Sequence, residues 1–420
     1  MSQLPKSPEC TYIESYLSNH GILVRFDGSL HYEGRSTSAH SEQDLPELIG
    51  RKHLNPQSLL DQLVHEARAS GLPLKKAEAA SALRLVIDEL VRARKTELAL
   101  PLFLRLSQEE AAKTADHWKK LGSLFNIEPS LAIAILQHFI WSVKRKISKN
   151  PVTDHCMPII YGRVQGSGKT TFVRRLLAPL EELATDAALL SDIADTRSAD
   201  IFRFPVVWLD DMEPIARNKV AVLKSLITTN AVRRRLLMTS MSVRIENEFV
   251  PIGTSNVPIH ELVPDSTGHR RFAMIPLRTQ NGMADPLIWR TVNEIDFGLL
   301  WRSVDALPDQ STGASPDSPI RPFRAALRQH QQDTGNSGML KWFRDIDLNS
   351  EPLMNATSAK GVASTALRLD YQRVIGENIS QYRFKRMMDD FMSHPASPFT
   401  GWERCPGDVR YTLKNVNGLQ

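Results

Sequence analysis

Cysteine is scarce in this chain of 420 residues, which has only Cys10, Cys156 and Cys405. The three cysteines lie far apart and form no C-x-x-C pair. This spacing argues against a disulfide framework and against zinc ribbons, and it is typical of a protein in a reducing cytoplasm.

The sequence also lacks an apolar run long enough to cross a bilayer. Its most apolar stretch, Leu131 to Trp141, is interrupted by Gln137 and His138 and is too short for a membrane span. The first residues, Met1 to Lys6, hold no apolar signal core. We therefore expect a cytoplasmic protein without a membrane partner.

Positive charge is only slightly in excess of negative charge, with a formal net charge of +5. A mildly basic chain suits a nucleic-acid partner, but many unrelated proteins have the same balance. The 42% hydrophobic composition is sufficient for two or three domains with cores of their own. Composition therefore leaves the function open, and the motifs must decide it.

Periodicity divides the first half of the chain into two units. Residues 1–100 predict a small α+β accessory domain, with a helix, a hairpin turning at Asp27-Gly28 and two further helices. Residues 101–150 are mostly helical and end in the basic turn Lys144-Arg145-Lys146. That turn indicates either a capped helix end or a helical collar beside the pore of an oligomer.

The rest of the chain divides into three parts. Residues 151–306 alternate short apolar runs with helical stretches, the α/β pattern of a parallel sheet. Residues 307–350 are predicted to be a linker, because residues 309–319 are rich in Ser, Pro and Gly. Residues 351–420 predict helix, helix and hairpin, the outline of a winged helix.

A phosphate-binding loop is predicted at Gln165-Gly166-Ser167-Gly168-Lys169-Thr170-Thr171, between an apolar strand and a helix. Backbone N–H groups of such a loop and the N-terminus of its helix attract the phosphates of ATP. We expect Lys169 to bridge the β- and γ-phosphates and Thr170 to be a Mg²⁺ ligand. The full motif has glycine at the position of Arg163, and the nearest glycine here is Gly162.

A second apolar strand ends in two acids, Asp210 and Asp211. Beside a phosphate loop, the first acid of such a pair positions Mg²⁺ and the second polarises the attacking water. We therefore assign Asp210 to the metal and Asp211 to catalysis, with Glu213 as a competitor for the second role.

A third apolar strand ends at Asn256, which we expect to contact the γ-phosphate or the attacking water. Adjacent arginines, Arg270 and Arg271, follow a glycine turn. Guanidinium groups stabilise a transferring phosphoryl group, here in the same or a neighbouring subunit. The alternative is that Gly253 to Asn256 is only a turn and that the arginines form a basic strand edge.

Four arginines, Arg233, Arg234, Arg235 and Arg244, surround a predicted β-hairpin between the acidic pair and Asn256. A basic hairpin inside an ATPase core suits contacts to a DNA backbone that are independent of base sequence. A solvated basic face is the simpler interpretation, and the sequence leaves both open.

Taken in order, these motifs resemble the superfamily 3 helicase branch of AAA+ ATPases, particularly virulence-associated protein E-like and phage or plasmid primase-helicase proteins. The matching residues are Gln165–Phe172, Trp208–Asp211, Leu223–Thr228, Gly253–Asn256 and Thr267–Phe272. The resemblance implies an α/β AAA+ core, a homo-hexameric ring with ATP sites between subunits, and an arginine finger from Arg270 or Arg271.

The resemblance implies an ATP-dependent DNA helicase that replicates a phage, plasmid or mobile element. Its implied partners are single-stranded or forked DNA and replication proteins such as a primase or polymerase. The alternative is an ATP-switched DNA-binding initiator or loader that does not unwind. A small-molecule kinase is a third hypothesis, against which the positions of Asn256 and the paired arginines argue. No DxD-type pair of metal-binding carboxylates lies on a predicted strand before residue 150, which argues against primase activity.

Overall fold

The computed structural model describes most of the chain, and its first part holds helices around a small hairpin. The described residues are 6–32, 54–189, 200–235, 242–263, 271–280, 283–309, 311–335, 337–375, 379–392, 394 and 396–414. The N-terminal elements are α1 (Pro8–Asn19), β1 (Ile22–Val24), β2 (Leu30–Tyr32), α2 (Pro56–Ala69) and α3 (Lys76–Ala99). Apolar faces of these elements share one core of their own. The predicted helices and hairpin of this part are therefore confirmed.

The long helix α3 links the N-terminal elements to the rest of the molecule. Its Arg94 donates to Glu182 Oε1 at 2.8 Å, and Glu182 also accepts from the backbone N–H of Phe26 at 2.7 Å. The Phe26 ring packs edge-on against Phe204, just before the second strand of the central sheet. These contacts couple the two parts through a buried carboxylate, while the division into domains stays a prediction.

The central part contains a sheet flanked by helices. Its elements are α4 (Gln108–Gly122), α5 (Pro129–Ile147), β3 (Met157–Tyr161), α6 (Lys169–Leu177), β4 (Val206–Leu209), α7 (Arg217–Thr228), β5 (Ala231–Arg235), β6 (Ser242–Glu246), β7 (Val250–Ser255), α8 (Ile259–Leu262), β8 (Phe272–Pro276), β9 (Thr279–Gln280), β10 (Met283–Ala284), α9 (Pro286–Glu294) and α10 (Phe297–Ser303). Strands β4, β7, β3 and β8 are neighbours in that order and all run parallel. The predicted parallel α/β sheet is confirmed.

Helix α5 belongs to the same hydrophobic core as the sheet. Its three terminal cations are buried and donate to main-chain carbonyls elsewhere in the fold. Lys144 Nζ donates to Val304 O at 2.6 Å, Arg145 Nη1 to Ala306 O at 3.2 Å, and Lys146 Nζ to Phe249 O at 2.8 Å. The basic turn thus joins α5 to other parts of the core, a role that neither the capped-helix nor the collar interpretation predicted. The role of a collar stays a prediction.

The structure corrects the prediction of a linker over residues 307–350. Helices α11 (Arg324–Gly335) and α12 (Ser337–Asp345) occupy its second half. In α12 the apolar residues Met339, Trp342 and Phe343 are buried at helical spacing. The prediction missed this helix because it extended the composition of residues 309–319 to the whole segment. The Ser/Pro-rich part is mostly exposed, but its end is packed, because Ser318 is buried and its Oγ lies 2.9 Å from His138 Nδ1.

The C-terminal part combines helices with a small antiparallel sheet. Its elements are α13 (Glu351–Asn355), β11 (Thr357–Ser358), β12 (Gly361–Ala363), α14 (Ser364–Ile375), α15 (Gln381–Phe391), β13 (Phe399–Cys405) and β14 (Asp408–Leu413), with strands in the order β11-β12-β14-β13. The predicted helices and hairpin are present, and the short strands β11 and β12 precede the first of the two helices. Among the described residues, no helix has the length and apolarity that crossing a membrane requires.

Candidate nucleotide site

The predicted site residues meet at the carboxyl edge of the parallel sheet. Strand β3 leads into the phosphate loop, β4 ends before Asp210, and β7 ends before Asn256. Because β7 pairs with both β3 and β4 in parallel register, the three strand ends are adjacent. Ligands of open parallel sheets bind at this edge.

The phosphate loop has the backbone that its glycines allow. Gly166 and Gly168 have φ of 75° and 93°, in the region that favours glycine, and α6 starts directly after Gly168. A Cβ built on Gly162 would lie 2.9 Å from Ser167 Oγ, so a larger residue here would have to displace the buried Ser167 side chain. Arg163 is not among the residues with positive φ, and its exposed side chain donates to Tyr161 Oη at 2.9 Å. The loop therefore keeps its conformation although its first glycine is Gly162 and not residue 163.

Lys169 is 7% exposed and its Nζ lies inside the loop. Nζ donates to Asn256 Oδ1 at 2.6 Å, to Gly162 O at 3.0 Å and to Ser167 Oγ at 3.3 Å. Burial lowers the pKa of Lys169 below its ordinary value, while the carboxylates of Asp211 and Asp210 oppose that shift. The ammonium group is therefore desolvated and held by weak neutral acceptors that an anionic phosphate can replace.

Asp210 is held by two hydroxyl groups. Its Oδ1 accepts from Thr170 Oγ1 at 3.1 Å and from Thr254 Oγ1 at 2.6 Å. One carboxylate and one hydroxyl oxygen at the phosphate loop are hard donors of the kind that bind Mg²⁺ together with substrate phosphates and water. A complete protein cage is not needed for that ion, and no cluster of three acidic, His or Cys ligands occurs among the described residues.

Asp211 takes a strained conformation at the end of β4. Its φ is 46°, an uncommon value for a residue other than glycine, and Thr254 Oγ1 accepts its N–H at 2.7 Å. Asn256 Nδ2 donates to Asp211 Oδ1. Lys169, Asn256 and Asp211 therefore form one chain of hydrogen bonds. Glu213 is exposed, and no hydrogen bond or ion pair joins it to the described residues of this site.

Arg271 lies at the opposite edge of the sheet. It directly precedes Phe272, which pairs with Met157, whereas the phosphate loop follows Tyr161 at the far end of β3. This separation along the strands is roughly 16 Å. Arg271 lines a cavity of about 460 Å³ together with Arg328 of α11. Arg270 lies outside the described residues, so its predicted role is not addressed.

The predicted basic hairpin is present as β5 and β6. Arg233 and Arg244 are exposed and directly opposite each other across the two strands. Arg234 and Arg235 follow on β5, and their side chains lie outside the described part. The base of the hairpin is tied to the core, since Asn247 Nδ2 donates to Leu226 O at 2.8 Å.

Thr254 is the site residue that sequence reasoning missed. Its hydroxyl connects the carboxylate of Asp210 with the N–H of Asp211, so it orients both acids. The signal was available in Gly253-Thr254-Ser255-Asn256, because alternate residues of a strand share a face and Thr254 precedes Asn256 by two.

Comparison with known proteins gives one family match. Residues 108–305 match the model of the virulence-associated protein E-like domain. No curated protein matches the sequence. The match covers α4 to α10 and therefore includes every residue of the candidate nucleotide site.

Several solved structures are similar at low identity. The apo C-terminal region of NrS-1 (305–718) is 14% identical with a TM-score of 0.38, covering 97% of this chain and 100% of that one. Its A form is 15% identical with a TM-score of 0.37 and coverages of 75% and 77%. The JCV helicase, with a bound acetamide compound, is 11% identical with a TM-score of 0.33 and coverages of 79% and 93%. These TM-scores are below 0.5, so the likeness is distant. By this family match, residues 108–305 are similar to the virulence-associated protein E-like domain.

Proposed function

We propose that this chain is an ATP-dependent DNA helicase that acts in the replication of a phage, plasmid or mobile element. The observation that carries the proposal is the hydrogen-bonded network of Lys169, Thr170, Asp210, Asp211 and Asn256 at one edge of the sheet. These residues are the ones that nucleotide hydrolysis requires, and they converge from three separate strands.

ATP binds with its triphosphate along residues 165–171. The γ-phosphate takes the place of Asn256 Oδ1 at Lys169 Nζ, since both are acceptors and the phosphate is charged. Thr170 and Asp210 would hold Mg²⁺, and the ion would supply positive charge beside the phosphates. This exchange frees the amide of Asn256 to report the presence of ATP.

Hydrolysis uses Asp211 and Asn256. The Asp211 carboxylate accepts a hydrogen bond from the attacking water and orients its lone pair toward the γ-phosphorus. Asn256 Nδ2 already contacts that carboxylate and so keeps it in position. Arg271 is at the other edge of the sheet, so it does not reach the γ-phosphoryl group bound by its own chain.

A ring of copies, proposed as a hexamer, supplies a guanidinium partner for that group. A residue at the amino edge of one sheet meets the carboxyl edge of the next when subunits pack head to tail. In that arrangement Arg271 acts as an arginine finger on the ATP of its neighbour. The hairpin with Arg233 and Arg244 then grips the backbone of single-stranded DNA. The C-terminal unit acts as a winged helix that binds DNA or replication proteins.

Unwinding of a fluorescent forked duplex with ATP and Mg²⁺ tests the proposal. The full chain is compared with Lys169→Ala and with Lys113→Ala, whose lysine is exposed and pairs with Glu109 on α4. We expect the first variant to lose unwinding and the second to retain it. Equal unwinding by wild type and Lys169→Ala contradicts the helicase. ATP-dependent DNA binding without unwinding instead identifies the initiator or loader alternative.

A further inference from the structure

The first turns of α9 lie against the phosphate loop. A Cβ built on Gly168 would be 3.6 Å from Ile288 Cγ2 and 3.8 Å from Trp289 Cε2. Ile288 and Val292 of this helix are buried in the main core, and Asp285 caps its N-terminus by accepting from the N–H of Leu287 at 2.9 Å. The position of α9 beside the loop is therefore fixed by packing and by a cap.

Trp289 points away from that core. Its side chain is 42% exposed although its ring edge reaches the glycine that opens α6. Within the described part of the chain, the indole makes no ring contact, hydrogen bond or cation–π contact. The indole therefore exposes a large aromatic surface to water beside the predicted phosphate loop. Burial of that surface against an apolar face of a ligand is favourable.

We propose that the indole of Trp289 stacks on the base of the nucleoside triphosphate whose phosphates the loop holds. The inference rests on the proposed function, because it takes the triphosphate to lie along residues 165–171. Those phosphates lie at the N-terminus of α6, so the ribose and base extend outward from that end of the helix. Trp289 is at that same helix end, and an indole presents a flat surface to the π-face of a base.

The alternative role of Trp289 is structural, as a cover over Gly168. The two roles differ in one respect. A cover supports the loop whatever ligand it holds, whereas a stacking surface contributes only when the ligand has a base. Inorganic tripolyphosphate carries the phosphates without the base, so it separates the two roles.

Calorimetric titration of the full chain, in buffer that contains Mg²⁺, measures the affinity for two ligands. They are the non-hydrolysable ATP analogue AMP-PNP and tripolyphosphate. The variants are Trp289→Ala, Trp289→Phe and the control Trp402→Ala, whose tryptophan is 51% exposed on β13. We expect Trp289→Ala to weaken AMP-PNP binding by about 10-fold or more and to leave tripolyphosphate binding unchanged. Trp289→Phe retains part of the affinity because a smaller ring still stacks, and Trp402→Ala binds both ligands as wild type does.

Three outcomes overturn the inference. Unchanged AMP-PNP binding by Trp289→Ala removes the stacking role and leaves the proposed function standing. Equal weakening of AMP-PNP and tripolyphosphate assigns Trp289 to the support of the loop, and again leaves the ATP site intact. Failure of the wild type to bind either ligand removes the proposed function and the stacking role together.

Discussion

At the scale of single residues, Thr254 is the side chain that holds the two acids in one geometry. We expect Thr254→Val to lower the rate of ATP hydrolysis by about 10- to 100-fold, because Asp210 and Asp211 then lose their shared partner. The unfolding free energy falls by about 1–3 kcal/mol, since the N–H of Asp211 is left without an acceptor. Steady-state hydrolysis and denaturant unfolding measure the two effects.

Thr254→Ser is the matched control for that change. Serine keeps the hydroxyl and removes only a methyl group, so hydrolysis stays within a few-fold of wild type. A valine variant that is as active as the serine variant shows that the hydroxyl is not needed for catalysis.

The choice between Asp211 and Glu213 is also decided at this scale. Asn tolerates the positive φ of Asp211, so Asp211→Asn removes the charge with little change in the backbone. We expect this variant to hydrolyse ATP about 100-fold more slowly or worse, as for loss of a catalytic base. Glu213→Gln changes an exposed acid outside the network and should keep the wild-type rate. A large loss in Glu213→Gln alone reverses the assignment.

How far single residues can be predicted depends on whether their role is visible in a motif. Lys169 follows the loop after β3, and Asp210 and Asn256 directly follow β4 and β7, so their convergence was foreseeable from the order of strands. Thr254 and Trp289 act through neighbours in space. Trp289 lies close to Gly168 because α9 packs beside the phosphate loop. The two residues are more than a hundred positions apart in the sequence, so no local pattern predicts their proximity.

At the scale of elements, α5 is held by a buried histidine. His138 is 1% exposed, its Nε2 lies 2.9 Å from Asp154 O, and its Nδ1 contacts Ser318. Burial lowers the pKa of His138 to about 4, while the contact with Asp154 opposes the shift. The folded state thus holds the imidazole neutral, and its stabilising effect is complete above the unfolded pKa of about 6.5.

This effect is lost as the pH falls from about 6.5 to about 4, because the unfolded chain takes up the proton first. The expected loss of unfolding free energy over this range is roughly 3 kcal/mol from His138. Denaturant unfolding at pH 7, 5.5 and 4.5 measures it. His138→Gln should show a shallower pH dependence than wild type, whereas the control His65→Gln, at an exposed position of α2, should follow wild type. Identical slopes in all three proteins refute the assignment.

The hairpin of β5 and β6 places Arg233 directly opposite Arg244. Like charges facing each other across strands are unfavourable, and a DNA phosphate between them relieves the repulsion. We expect Arg233→Gln to stabilise the fold by a few tenths of a kcal/mol and to weaken binding of oligo-dT. The slope of log affinity against log salt should become shallower by about 0.7, as for one lost phosphate contact.

Arg92→Gln, which alters an exposed arginine on α3, is the control for the hairpin variant. Fluorescence anisotropy over a range of salt concentrations measures the slope in each protein. If Arg92→Gln and Arg233→Gln have the same slope, the hairpin is a solvated basic face and not a DNA contact.

Elements were predicted well where apolar spacing or a turn marks them, and poorly where composition was used alone. The helices α2 and α3 and the hairpin of β5 and β6 follow from periodicity and turn residues. The linker over residues 307–350 was wrong because Ser, Pro and Gly describe backbone freedom, not burial. Ser318 and Ile320 are buried against the core from within that segment.

At the scale of the whole molecule, one chain presents the two halves of the proposed ATPase site at opposite edges of its sheet. The network around Lys169 lies at the carboxyl edge of the sheet, and Arg271 lies at the amino edge, roughly 16 Å away along the strands. A sequence shows that both halves exist, but it does not show the edge at which each one lies. The strand register supplies that information and makes an intramolecular role for Arg271 unfavourable.

Mixing two inactive variants tests whether the halves combine between copies. Lys169→Ala retains Arg271 but cannot hold ATP productively, and Arg271→Ala retains an intact phosphate loop but offers no finger. Alone, each variant should hydrolyse ATP at least 100-fold more slowly than wild type. In an equimolar mixture some neighbouring pairs join an intact loop to an intact arginine, so activity should exceed the sum of the separate variants several-fold and depend on protein concentration. A mixture that is no more active than that sum shows that Arg271 does not act across an interface.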